Sequence, residues 1–132
     1  MYARREGLVS LEAPELEDAT VDRLLGQGVP VLLNLGSGLG LSDKHYFLVV
    51  GHDRDRALWI LQDGHVRDRV VSEAWLSKRR VPTKGWGLVV FPPAHPLAGL
   101  GARLHFLAAE RAEELKRPDA ALRHLEEARL ER

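Results

Sequence analysis

The sequence predicts an α+β fold: an antiparallel sheet of about five strands with an N-terminal helix and a small inserted helix, then a C-terminal helical hairpin. Three observations predict it. Short apolar runs rich in Val, Leu and aromatic residues recur between residues 30 and 91, bounded by Gly, Pro and Asp. The links between the middle runs, His52 to Arg56 and Asp63-Gly64, are too short for anything but antiparallel neighbours. After Ala94-His95-Pro96 the composition changes to Ala, Leu, Glu and Arg, all strong helix formers.

In chain order, Leu8 to Leu11 is a short apolar run, and Pro14 opens a segment with Asp18 and Thr20 as N-caps ahead of Val21, Leu24 and Leu25. Gly26 and Gly28 stop this helix. Pro30 to Leu35 is a continuous apolar run suited to a buried strand, and Gly36 to Asp43, with three glycines and two serines, is a loop. Strands are expected over His45 to Val50, Ala57 to Leu61 and Val66 to Val71. Ser72 caps a brief helix from Glu73 to Arg79, and Trp86 to Phe91 is a last strand that Pro92 and Pro93 end. Leu100 to Lys116 and Asp119 to Arg132 read as two helices, with Arg117-Pro118-Asp119 as break and N-cap. The expected division is a sheet domain over 1–96 and a hairpin over 97–132.

At 132 residues and 45% hydrophobic content the chain builds one modest core with an appendage. Nineteen basic residues balance nineteen acidic ones, which argues against nucleic acid and anionic membrane as partners. Lys78-Arg79-Arg80 with Lys84 is a basic cluster, expected in solvent where cations complement a helix C-terminus. The first seven residues lack the apolar stretch of a signal peptide, and no run approaches the roughly 20 apolar residues of a membrane span. As written, the chain is expected to stay in the cytoplasm, with an exported parent protein left open. There is no cysteine, which removes disulfides, thiolate zinc sites and thiol catalysis together.

The segment His45-Tyr46-Phe47-Leu48-Val49-Val50-Gly51-His52-Asp53 carries the most chemistry. His45 opens an apolar strand and Asp63 closes a later one, so sheet order can bring them to one edge. A carboxylate on one imidazole nitrogen leaves the other as a base, the orienting arrangement of nucleophile triads. A satisfied polar pair is the plainer reading of the same spacing. A rival is a metal site from His45, His52, Asp53, Asp63 and His65, although no helical ligand spacing supports it. His95, His105 and His124 are scattered and read as surface or interface residues. Trp59, Trp75 and Trp86 lie in apolar strands or an amphipathic helix and read as core and helix-sheet contacts. Gly36-Ser37-Gly38-Leu39-Gly40 precedes a strand rather than a helix, so no nucleotide cofactor is expected.

The runs Gly28-Val29-Pro30-Val31-Leu32-Leu33, His45 to Asp53, and Gly85-Trp86-Gly87-Leu88-Val89-Val90-Phe91-Pro92-Pro93 resemble the second half of a bacterial papain-like cysteine peptidase domain of the bacteriocin leader-cleaving type. The resemblance covers Tyr2 to about Pro93. It implies that His45 is the general base and Asp63 its orienter. His52 stands where the family usually has Tyr, and Gly64 where Pro is common. The family's first half should hold a glutamine for the oxyanion hole and a cysteine opening a long helix. Neither is recognisable here, and residues 2–8 resemble the end of the helix that follows that half. Ser37 and Ser42 precede His45, but a serine nucleophile there does not fit the family layout.

Ala109, Ala112, Ala121, Leu125 and Ala128 make the hairpin resemble one tetratricopeptide repeat, with Lys116 in place of the usual glycine before the turn. A branch of the peptidase family carries such repeats directly after its peptidase domain. An ordinary amphipathic hairpin has the same spacing. A single repeat cannot bury both faces, so further repeats, docking on the sheet or a second chain is expected.

The reading is a peptidase-like domain without catalysis of its own, binding a protein or peptide partner and self-associating into a homo-oligomer, with no metal and no cofactor. The alternative is the C-terminal part of a cysteine peptidase whose cysteine and glutamine come from an upstream segment or another chain.

Overall fold

A computed structural model describes residues 7–36, 45–64 and 66–131. The elements in order are β1 (Val9–Ala13), α1 (Asp18–Gly26), β2 (Val31–Leu35), β3 (His45–Asp53), β4 (Leu58–Asp63), β5 (Val66–Ser72), α2 (Glu73–Arg80), a 3-10 turn (Val81–Thr83), β6 (Gly87–Phe91), α3 (Ala102–Glu114) and α4 (Pro118–Leu130). The expected α+β class is what the chain adopts, with an antiparallel sheet of six strands in the order β1-β6-β2-β3-β4-β5. The sixth strand is β1, whose apolar run was too short to read as a strand from sequence.

The chain gathers into two compact units, Glu12–Leu88, and Met1–Leu11 with Val89–Arg132. In the first, Val31, Leu33, Val49, Trp59, Leu61 and Leu76 are buried. Residues directly opposite on antiparallel strands share a face, and side chains alternate along each strand. The pairs Val31↔Val49, Leu35↔His45, Val49↔Leu61 and Leu61↔Arg69 therefore line up one face across four strands. Helix α1 packs on β2 and β3, while α2 packs on β2, β4 and β5.

A bulge between Val49 and Gly51 inserts one residue into β3. Without it His52 would point away from His45, Phe47 and Val49; with it, His52 opposes Trp59 on their face. Residues 52 and 53, expected in the turn, thus belong to the strand.

Several helix ends differ from the sequence reading: α3 runs Ala102–Glu114 rather than Leu100 to Lys116, because Gly101 and Lys116 hold positive φ, and α4 ends at Leu130. Glu17, not Asp18 or Thr20, is the α1 N-cap, and Asp18 is the first helical residue. Arg117 is the α4 N-cap, and Pro118 takes the first helical position, where its missing N–H costs nothing. Arg80 belongs to α2 and is buried rather than solvated. Its guanidinium donates to Asp18 and to the carbonyls of Leu16 and Gly85, which ties the turn before α1 to the end of α2. Ser72 does cap α2, accepting the Trp75 N–H at 3.0 Å.

In the second unit, α3 and α4 form the hairpin. Their contact is made by small side chains, with Ala108, Ala109, Ala112, Ala120, Ala121 and Ala128 all buried. Lys116 takes a left-handed conformation, φ 58°, and the Arg117 and Lys116 N–H groups donate to the carbonyls of Ala112 and Glu113. This is a Schellman ending, for which glycine is the low-strain residue.

Among the described residues no helix is long and apolar enough to cross a membrane.

Candidate functional site

The structure brings His45 and Asp63 together. His45 Nε2 lies 3.3 Å from Asp63 Oδ1, and Arg69 Nη1 reaches the other carboxylate oxygen at 3.8 Å. His45 opens β3, and its side chain is 59% exposed, whereas that of Asp63 is 16% exposed. With Nε2 on the carboxylate, Nδ1 is the nitrogen left to act as a base.

Around the pair is an aromatic and cationic surface. The ring of Phe47 meets His45 edge-on at 4.9 Å and Trp75 at 6.4 Å. Trp75 carries two guanidinium groups, Arg69 at 5.1 Å and Arg79 at 4.8 Å from its ring centre. The pairing of cation with indole face holds both arginines beside the ring and leaves N–H groups able to donate. Leu35, Gly36, His45, Phe47, Arg69, Trp75 and Arg79 line a hollow of about 120 Å³, room for a single side chain. Trp75 and the two arginines enter the site from α2 and β5, and their roles were not read from the sequence. The signal available there was Arg79 four residues after Trp75 on a helix, with Arg69 on the face shared with Leu61.

Among the described residues of the metal reading, His45 and Asp63 meet, but His52 and Asp53 do not join them in one cluster. His52 is bound instead between two helices: Nδ1 lies 2.7 Å from Asp22 Oδ1 of α1 and Nε2 2.8 Å from Glu73 Oε1 of α2. Its ring stacks on Trp59 at 3.7 Å and 9°. Burial alone would lower the imidazole pKa, but the hydrogen bonds with Asp22 and Glu73 outweigh it and the net direction is upward. Asp22 also accepts from Arg54, and that guanidinium first, with His52 second, holds its carboxyl below the usual range. A cavity of about 490 Å³ opens beside these groups, lined also by Asp18 and Arg23. Asp53 caps its own turn, accepting the Arg56 N–H at 3.2 Å. His65, Ser37, Ser42 and residues 2–6 lie outside the described residues.

His105 and His124 are not surface residues. Both are buried, with Nδ1 atoms 3.0 Å apart between α3 and α4. Burial lowers the His105 pKa against the pull of Glu131 and Glu127, and burial, then His105 and Arg123, push His124 down to about 4. They sit on the alanine stripes: 105, 108, 109 and 112 on α3, and 120, 121, 124 and 128 on α4. Leu125, placed by the sequence in the repeat-like pattern, is 39% exposed, and His124 has the buried position beside it.

No protein-family model matches the sequence. No curated protein matches it either. Among solved structures the fold is similar to the peptidase domain of Streptococcus ComA, described as a bi-functional ABC transporter involved in a quorum sensing pathway. The superposition has a TM-score of 0.51 at 17% sequence identity and covers 68% of this chain and 61% of that one. The chain thus spans about three-fifths of that domain, and at this identity the likeness establishes a peptidase-like fold.

Proposed function

We propose that this chain binds extended protein or peptide segments on the surface beside His45 and does not cleave them. The observation that carries the reading is the His45–Asp63 contact of 3.3 Å at the mouth of the Phe47-Trp75 hollow, in a chain that contains no cysteine. A base and its orienter do no acyl transfer without a nucleophile to deprotonate. What the surface offers instead is recognition. Arg69 and Arg79 present forked donors suited to a carboxylate, and Phe47 and Trp75 supply an apolar floor. The favoured ligand is a peptide with an acidic side chain or a free C-terminus next to an apolar residue.

Selection of phage-displayed random dodecapeptides on the immobilised chain tests this reading. Enriched sequences should be acidic, and Arg79→Ala should weaken them at least about tenfold, the lower edge of the roughly 1.5–3 kcal/mol of a charge-assisted hydrogen bond. Absence of enrichment, or binders indifferent to both Arg79→Ala and Arg69→Ala, would overturn it.

One observation favours a second reading, a cysteine peptidase completed by a nucleophile from outside these residues. His45 Nε2 faces Asp63 and leaves Nδ1 for a partner, the polarity a catalytic base requires. Reading the DNA upstream of Met1 discriminates: an in-frame segment with Gln shortly before Cys-Gly supports the enzyme, and a stop codon there opposes it.

A further inference from the structure

The open end of the hairpin holds a second group of chemistry-bearing residues, unconnected with peptide binding. His105 comes from the first turns of α3, and Glu127 and Glu131 are one turn apart near the end of α4. One ligand atom from each lies within 4.8 Å of the others. His105 is buried, so one member is a fixed, desolvated imidazole rather than a surface side chain.

The tautomer follows from the backbone. The Leu100 N–H donates to His105 Nε2 at 3.3 Å, which makes Nε2 an acceptor and puts the ring proton on Nδ1. Nδ1–H then donates to His124 Nδ1 at 3.0 Å, so His124 orients the ring as an outer partner orients a metal ligand. Glu131 Oε2 approaches the same unprotonated Nε2 at 3.5 Å. The Nε2 lone pair and the carboxylate thus face one another across a gap that a cation would bridge, each held meanwhile by a backbone N–H. The Gly101 N–H donates to Glu131 Oε2 at 2.8 Å and holds the carboxylate there.

We propose that His105, Glu127 and Glu131 bind a borderline divalent cation, Zn²⁺ foremost, that clips the hairpin shut at the end opposite the Lys116 turn. Imidazole nitrogen with two carboxylate oxygens is a donor set that suits zinc, with a water completing four-coordination. Ligand atoms about 2.0–2.2 Å from one zinc stand about 3.4 Å apart in a tetrahedron. The His105–Glu131 separation of 3.5 Å already fits, and Glu127, part-exposed and with a ligand atom within 4.8 Å of the other two, closes the remaining gap by side-chain rotation. The cation takes the Nε2 lone pair in place of the long Leu100 N–H contact, and that amide is left to water or a ligand-bound oxygen.

Titration of ZnCl₂ alone into the full chain, stripped with EDTA and dialysed, tests the site by calorimetry. The expected result is saturable uptake of one ion per chain and a rise in melting temperature with zinc. Glu127→Gln should weaken uptake at least tenfold and abolish the zinc-dependent rise while leaving the metal-free circular dichroism unchanged. Glu131→Gln, whose amide oxygen still accepts from Gly101, carries the same expectation should Glu127→Gln fail to fold. No saturable uptake, or equal uptake by the wild type and the foldable glutamine variants, would overturn the proposal.

Discussion

His45 Nε2 and Asp63 Oδ1 stand 3.3 Å apart although the residues are 18 positions distant in the chain. The contact exists because β3 and β4 run antiparallel, so that the start of one strand meets the end of the next. His45 is more than half exposed, and an exposed ion pair contributes only about 0–1 kcal/mol. Asp63→Ala is therefore expected to change unfolding free energy by less than about 1 kcal/mol in urea denaturation, so the pair is not what holds the sheet together.

Arg80 is the opposite case. Its guanidinium is buried and bound to Asp18, Leu16 and Gly85; breaking a fully buried charged pair costs roughly 3–5 kcal/mol, and because Asp18 is 45% exposed the cost here is roughly 2–3 kcal/mol. Arg80→Ala should cost about that much by chemical denaturation. Arg80→Lys should recover less than half, because an ammonium cannot donate along three fixed directions from that position.

The His52 staple makes stability pH-dependent. The folded-state pKa of His52 is raised, so the native state holds its proton more tightly than the unfolded chain does. The stabilisation is complete below the unfolded value near 6.5 and is lost as pH rises through the folded value. The groups facing the ring are Asp22 of α1, Glu73 of α2 and, through Asp22, Arg54; Trp59 covers its face. Thermal melts should show this contribution fading on the alkaline side of 6.5 in the wild type and absent in His52→Gln. His52→Ala should cost about 2 kcal/mol below pH 6, less than a fully buried pair because Glu73 is 42% exposed.

Lys116 holds a left-handed conformation that costs a non-glycine residue roughly 1–2 kcal/mol. Lys116→Gly should stabilise the hairpin by about 0.5–1 kcal/mol, since the glycine also gains freedom in the unfolded chain. A lower melting temperature in this variant would mean that the lysine side chain contributes more than its backbone costs.

The strands β2 to β6 were legible because Gly, Pro and Asp bound apolar runs of strand length, and the hairpin because composition and spacing changed together after Pro96. The His45–Asp63 contact was legible for the same reason, since strand ends alone determine it. His52 was not. Its direction depends on one bulged residue at Val50-Gly51, and nothing in alternating hydrophobicity marks where a ladder slips by one. The buried histidines of the hairpin left a readable trace, because 105 and 124 fall on the alanine stripes at helical spacing; polarity misdirected the reading. Arg80 was misplaced for a similar reason. A basic run at a helix end is ordinarily solvated, and only the turn of Leu16 folding back against Gly85 gives this arginine its three acceptors.

The central claim is binding without cleavage, and one measurement addresses it directly. A dodecapeptide enriched on the chain is incubated with it for a day near pH 7, and the mixture is analysed by intact-mass spectrometry. The account predicts the peptide recovered whole, with its binding weakened in Arg79→Ala. Fragments that accumulate with the wild type and vanish in His45→Ala would contradict it.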